Sequence, residues 1–335
     1  MYDEYMRDQS IDIYKGLLIF LVVFGHFLER LLGWQDILAK IFLPNIYVLH
    51  MSAFVFISGY LFKDQKISQK LQYFLSLLIP FQFLYVLVDG YYSGKISSKW
   101  LWQPYWLLWY LWAMLAWVLL TRWLKVTGYP VLCSLVLALL VGLSPINNYL
   151  FSIGRIFNFL PFFMLGHIYG KAWLDILRRL PFTYGIAVIT IVGLLSLTQL
   201  YPLKSYWLYG SLSYAQMHVA PLQGMLIRSQ YLIMSCCAVF AWAMLAGKLP
   251  QFLSQLGQAS LPIYLWHGLI VLWLSHLWHV AVTPSIQLLV AFCASILTCY
   301  VCMLPIFQRS IQMLSNAFLW LFAKIILQKN SDLKS

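Results

Sequence analysis

The chain has 335 residues, 62% of them hydrophobic and only 10% charged, with 22 Lys and Arg against 10 Asp and Glu. Soluble domains carry about 25% charged residues, so the composition excludes a soluble globular protein and points to an all-α polytopic membrane protein. The formal charge of +12 is scattered between apolar runs rather than gathered on a soluble module, which excludes a nucleic-acid-binding protein.

Windows of about 20 apolar residues predict ten transmembrane helices, at about 12–32, 43–62, 71–92, 102–121, 129–145, 153–171, 182–201, 226–247, 259–277 and 285–306. Asp36 and Lys40, not a small-residue cleavage site, follow the first run. That run is therefore predicted to be an uncleaved helix rather than a signal peptide. The fifth and sixth runs are the candidates for tilted or re-entrant segments. A further apolar run, 311–328, reads as an interfacial amphipathic helix, with an eleventh span as the alternative. The expected domains are a transmembrane domain over 1–310 and a C-terminal amphipathic helix with its tail over 311–335. With the amino terminus inside, fifteen of the Lys and Arg fall on the inner side and seven on the outer. This bias predicts cytoplasmic termini and an even number of spans.

The first helix carries the strongest functional signal. Residues 12–30 (DIYKGLLIFLVVFGHFLER) set Asp12, Lys15, His26 and Glu29 inside a run otherwise apolar enough to cross a bilayer. A charged side chain at bilayer depth costs about 2.5–3.5 kcal/mol on insertion scales and usually faces a protein interior. Eleven helical steps separate Lys15 from His26, which brings them within about 20° of one face and roughly 16 Å apart. A cation near one surface and an imidazole deep within suit a long anionic cofactor whose charged and reactive ends lie far apart.

Depth groups the other polar residues. His26 and His50 are each expected some 10 Å beneath the outer surface, and could meet if the first two helices form an antiparallel hairpin. Arg155 and Arg228 enter at the outer ends of the sixth and eighth spans. Two imidazoles and at least one guanidinium are thus expected in an outer-half cavity, with Glu29 one turn above His26. Lone histidines in apolar helices are more often satisfied core residues than catalysts, but matched depth beside a carboxylate and an arginine favours function. At the inner end Asp12 and Lys15 are i,i+3 neighbours and either form a simple ion pair or serve a ligand. Lys63, the rest of the 63–70 loop (KDQKISQK) and Arg178–Arg179 add basic charge there. Together these could hold the phosphates of a nucleotide-containing donor, although no Walker-type or GxGxxG loop is present.

Other features are weaker. Ser58-Gly59-Tyr60 and the Gly166/Gly170 pair are expected to permit close helix approach. Asp89 is an intramembrane acid with no obvious partner. Trp102, Trp106, Trp109 and Trp112 recur at helical spacing and predict one aromatic face, an interfacial belt or a sugar platform. The loop at about 202–225 reads equally as an acceptor entrance or a packed lid. His267 lies mid-span and is a candidate third polar contributor to the site, whereas His276 and His279 lie near the outside. The six cysteines sit in apolar runs, and Cys299 and Cys302 have CxxC spacing without the second pair or histidine that a zinc site needs.

At these residues the chain resembles the membrane-bound acyltransferase-3 family, particularly its fucose 4-O-acetylase-like branch. DIYKGLLIFLVVFGH resembles the first-helix signature of a basic residue, ten positions and a histidine, here Lys15 and His26. VLHMSAFVFISGYLF resembles the second-helix HMPxFFFxSGY pattern, with Ser52 in place of the usual proline. PYWLLWYLWAMLAW, GRIFNFLPFFMLG and LGQASLPIYLWHG resemble later blocks, so the likeness extends over nearly the whole chain. The resemblance implies ten core helices and transfer of an acetyl group from acetyl-CoA, without a metal, to a hydroxyl of an extracytoplasmic glycan at a bacterial inner membrane. It makes His26 the essential histidine, places Asp12 and Lys15 in the same functional helix, and points at Arg155. Combined with depth, it suggests His26 as general base, Glu29 or His50 orienting its ring, and Arg155 or Arg228 stabilising an oxyanion. An acetyl-histidine relay is the alternative chemistry. A transporter or flippase of a lipid-linked sugar is the alternative class. The glycerolipid HxxxxD pattern is absent at all seven histidines.

Overall fold

The computed structural model describes residues 8–200, 205–278 and 280–332, and every regular element among them is helical. The helix starts follow the local chemistry. Asp8 caps α1 (Gln9–Leu31), its carboxylate accepting from the amides of Ser10 and Ile11, and Asp36 caps α2 (Ile37–Leu61) through the amides of Leu38 and Ala39. A side-chain acceptor at this position satisfies amides that a helix leaves unpaired. α2 therefore starts six residues before the expected boundary, and Asp36 was the signal. α3 (Ile67–Ser93) follows a five-residue connection, and α4 (Trp109–Val126), α5 (Pro130–Leu140) and α6 (Ile153–Leu177) come next. α7 (Phe182–Leu195), the short α8 (Ser205–Tyr209), α9 (Pro221–Ala246), α10 (Phe252–Gln258), α11 (Ser260–Leu277), α12 (Pro284–Cys302) and α13 (Pro305–Asp332) complete the chain.

Eight helical segments among the described residues are long and apolar enough to cross a membrane. The chain is an all-α polytopic membrane protein. The fifth and seventh predicted spans prove shorter, apolar over Pro130–Leu143 and Phe182–Thr198. The predicted tryptophan face over 102–112 is also corrected. Trp102 caps a 3-10 turn, Trp106 opens a second one with φ +31°, and regular α-helix begins only at Trp109. The four rings consequently do not form one helical ladder: Trp102 and Trp112 both pack on Phe151, and Trp106 and Trp109 line the cavity described below. The C-terminal helix begins at Pro305, directly after α12, and packs its Ile311 and Ser315 onto α3, where Ser315 and Ser76 share a 2.6 Å hydroxyl hydrogen bond. The predicted inner and outer charges Arg7, Lys204 and Lys334, and His279, lie outside the described residues.

α1 is the most enclosed of the eight spans, and α3 and α12 the least. It packs against α2, α9, α10, α11 and α12, burying Leu18, Val23, Phe27 and Leu28 completely. Two glycine pairs set the closest approaches. A Cβ on Gly16 would lie 1.8 Å from the Leu253 carbonyl oxygen of α10, and one on Gly257 the same distance from that of Asp12. Gly59 and Gly166 do the same for α2 and α6, each facing the other helix's backbone at 2.0 and 1.9 Å. Small residues let backbones touch where lipid offers no hydrophobic drive, and this fixes α1 beside the helices that share its cavity.

Candidate active site

One cavity of about 1180 Å³ follows α1 along its length. Lys15, Ile19, Val22, His26, Glu29 and Arg30 line it, a spacing that keeps one helical face toward the space for roughly 22 Å. At the Lys15 end the wall adds Phe62, Lys70 and Tyr73; at the Glu29 end it adds Lys99, Trp106, Arg155 and Tyr209. His26 lies between the two ends.

His26 is held on three sides. Its ring meets Trp106 edge-on at 4.6 Å between centroids and stacks on His267 at 5.5 Å with the planes 16° apart. Nδ1 is buried and lies 3.6 Å from Oε2 of Glu29, which leaves Nε2 as the nitrogen for the cavity. Glu29 is in turn fixed by neutral donors: Tyr47 at 2.7 Å, Trp34 at 3.2 Å, and the hydroxyl of Tyr209. His50 also lines the cavity, and its Nδ1 donates to the Ile46 carbonyl at 2.7 Å, so its ring is oriented by its own helix. The ring stacked on His26 is that of His267, 0% exposed, whose Nδ1 bonds the Ile263 carbonyl at 2.8 Å.

Arg155 reaches the cavity because the chain entering α6 is turned by two non-glycine residues in the left-handed region, Phe151 (φ +50°) and Ser152 (φ +54°). The Phe151 amide donates to the Trp102 carbonyl at 2.8 Å. With Trp106, three such residues shape this wall; each costs about 1–3 kcal/mol, and such strain clusters at functional sites. The guanidinium makes a 3.5 Å hydrogen bond to the Trp106 carbonyl and lies over the rings of Trp109, Tyr149 and Tyr209 at 5.4, 5.7 and 5.9 Å. Most of its donors therefore remain for a ligand in the cavity.

Arg228 is not brought to this site. Its guanidinium is buried and donates to the carbonyls of Ala138 (3.1 Å) and Leu212 (3.0 Å), bracing α9 against α5 and the 210–220 loop. At the other end Lys15 faces the cavity and pairs with Asp12 at 3.5 Å, whereas the buried Asp12 does not line it. Lys63 does not line it either. Lys70, seven residues on, does, and donates to the Lys63 carbonyl. Asp89 has a partner after all, accepting from the Tyr105 hydroxyl at 2.9 Å. The 202–225 segment divides: Tyr206 and Tyr209 line the cavity, while Trp207, Tyr214 and Met217 form a small core of their own.

The residues that sequence reasoning missed are aromatic: Trp34, Tyr47 and Tyr209, whereas Trp106 was read as part of a helical tryptophan face. Tyr47 precedes His50 by three positions and so shares its helical face, a signal that was available. Trp34 lies in a connection and Tyr209 ends the short α8, and neither position carried such a signal.

The acyltransferase domain model of the acyltransferase-3 family matches residues 8–304. The chain is similar to nodulation protein NolL of Sinorhizobium fredii, 30% identical over 187 residues, which cover 49% of each chain. It is also similar to nodulation protein NolL of Mesorhizobium japonicum, 44% identical over 57 residues, 16% of this chain and 15% of that one. The chain spans about half the length of the first of these relatives and a smaller stretch of the second. No solved structure matches.

Proposed function

The chain belongs to the acyltransferase-3 family, and from that premise we propose that it is an integral membrane O-acetyltransferase, moving an acetyl group from cytoplasmic acetyl-CoA to a hydroxyl of an exported or cell-surface glycan. The observation that carries this reading is the single cavity joining Lys15 to Arg155 past His26. A donor with its phosphates at the Lys15 and Lys70 end would need to extend its thioester roughly 16 Å, the rise from Lys15 to His26. The acceptor would enter from the Glu29 end, among Trp34, Trp106 and Tyr209, whose faces suit a sugar ring. The likeness of the sequence blocks to the fucose 4-O-acetylase-like branch supports a sugar hydroxyl as acceptor, and a bacterial inner membrane with cytoplasmic termini is the setting that fits.

Chemically, Nε2 of His26 takes the proton of the acceptor hydroxyl while its oxygen attacks the thioester carbon. Glu29 beside Nδ1 orients the ring and stabilises the imidazolium that forms. The Arg155 guanidinium supplies N–H donors to the oxyanion, a class of stabilisation often worth 2.7–4 kcal/mol (roughly 10²–10³ in rate) per donor. Collapse breaks the C–S bond, and the departing thiolate recovers the proton from His26. General base catalysis of this kind contributes about 10²–10⁴-fold.

A flippase of a lipid-linked sugar would also need a through cavity, but it would leave acetyl-CoA unconsumed. The test is turnover of radiolabelled acetyl-CoA by the purified protein in lipid nanodiscs with a panel of extracted glycans. We expect CoA release and label transfer from the wild type, and both cut at least about 10²-fold in His26→Ala. Equal transfer by the two proteins would overturn the mechanism, and glycan movement without CoA release would overturn the class.

A further inference from the structure

Of the five-residue connection between α2 and α3, Phe62 lines the cavity at its Lys15 end. Leu61 lines the space just before it in the chain, and Lys70, Tyr73 and Phe74 after it. Within it Lys66 takes the left-handed conformation (φ +55°), unfavourable for a residue with a Cβ. The connection is therefore held from outside itself, and the holder is Asp64. Its Oδ2 lies 2.5 Å from Nζ of Lys125, at the end of α4, and its Oδ1 lies 3.3 Å from Nε2 of His167 on α6. The His167 ring packs on Phe62 at 5.3 Å, and the Lys70 ammonium sits over the same ring at 4.4 Å. Three basic groups from three helices thus converge around one carboxylate and one phenyl ring beside the cavity mouth. Two further carboxylates of the same chain end are paired elsewhere: Asp12 with Lys15, and Asp8 with Arg178.

We infer that Lys70, Lys125 and His167 form a phosphate subsite and that Asp64 is its intramolecular stand-in, displaced when a phosphate of the nucleotide donor arrives. The inference rests on a phosphate-bearing donor entering at this end. A phosphate carries up to two charges and three strong acceptor oxygens against one charge and two oxygens on Asp64, so it satisfies all three bases at once. The present pair is easy to exchange. The side chains of Lys125 and Asp64 are 43% and 42% exposed, and ion pairs this open to water are weak. Displacement leaves no bare buried charge, because Asp64 swings into solvent while each base keeps an anionic partner. It also frees the connection that carries Phe62, so donor arrival and loosening of this part of the wall become one event.

The test uses adenosine 3′,5′-bisphosphate, titrated into the full protein in nanodiscs by calorimetry, with the melting temperature of each variant recorded. Removing the stand-in charge with Asp64→Asn should tighten binding about two- to fivefold, the reach of an exposed ion pair, and Lys125→Gln should weaken it by a similar factor. If Asp64 only organised the loop, Asp64→Asn would weaken binding instead. Weaker or unchanged binding in Asp64→Asn overturns the inference, as does absence of binding in both proteins. Should Asp64→Asn fail to fold, unchanged affinity in Lys125→Gln overturns it alone. His26→Ala should bind the bisphosphate like the wild type. Acetyl transfer failing while the opposite shifts of Asp64→Asn and Lys125→Gln persist would sink the acetyltransferase reading and leave this subsite standing.

Discussion

Oε2 of Glu29 lies 3.6 Å from Nδ1 of His26, one turn along the same helix. Trp34, Tyr47 and Tyr209 all donate to that carboxylate, so its position is set by three other segments of the chain. In the proposed mechanism an acid so placed would stabilise the imidazolium as it forms, the part that the aspartate plays in a serine hydrolase triad.

Glu29→Gln retains the shape but removes the charge. Acetyl transfer should fall about 10²-fold or more with little change in donor KM. In a double-variant cycle, adding Glu29→Gln to His26→Ala should cost almost nothing further, because the two act as a unit. Additive losses would show that Glu29 works elsewhere.

The two arginines should separate cleanly. Arg155→Gln leaves a cavity wall without its free donors, and transfer should drop about 10²-fold or more while the melting temperature stays near wild type. Arg228→Gln removes a guanidinium that satisfies a buried carbonyl, that of Ala138, and a half-buried one, that of Leu212. Leaving such groups unpaired costs about 1–3 kcal/mol, so its melting temperature should fall. Activity per folded molecule should hold. The reverse pattern in either variant would reassign that arginine.

These arginines also show what the sequence could and could not say. Membrane depth makes any buried guanidinium conspicuous, but composition is blind to whether a ligand or a carbonyl answers it. Lys15, His26 and Glu29 were legible because one helix with a fixed period carries all three. Their surroundings were legible only in part: His267 stood out as a mid-span histidine and Trp106 as one of a run of tryptophans, but that both rings meet His26, and that Tyr209 meets Glu29, depends on how other segments pack. The ladder of tryptophans misled for a related reason: helical spacing was present, but the chain at 102–108 turns twice before α4 begins. Close helix approach at Gly59 and Gly166 was readable because only small residues allow it.

Packing at α1 gives a stability test. A Cβ on Gly16 would fall 1.8 Å from the Leu253 carbonyl oxygen, so Gly16→Ala must push α1 and α10 apart. Overpacking of this kind costs about 1–3 kcal/mol, and Lys15 would move with the helix, raising donor KM as well. Gly247 is the control, with a helical φ of −70° and nothing within 4 Å of an added Cβ. Gly247→Ala should melt like the wild type. Equal melting temperatures for the two alanine variants would refute the tight α1–α10 contact.

The anchoring of α1 should depend on pH. Asp8 caps the helix and pairs with Arg178 beyond the end of α6. Burial works against its charge, but the Ser10 hydroxyl, the Arg178 guanidinium and the Ile11 amide outweigh it and hold the carboxyl below its ordinary range. A group whose folded pKa is depressed contributes stability that is complete above its unfolded pKa, about 3.9 for Asp, and is lost as pH falls through the folded value. Asp8→Asn keeps a capping side chain and removes only the charge. The variant should melt below the wild type at pH 7, and the gap should close as the medium is acidified past the ordinary carboxylate range. In an Arg178→Gln background the gap at pH 7 should shrink, since the guanidinium is one source of the depression. A gap that stayed constant from pH 7 to about pH 3 would mean that Asp8 acts through its shape and not through its charge.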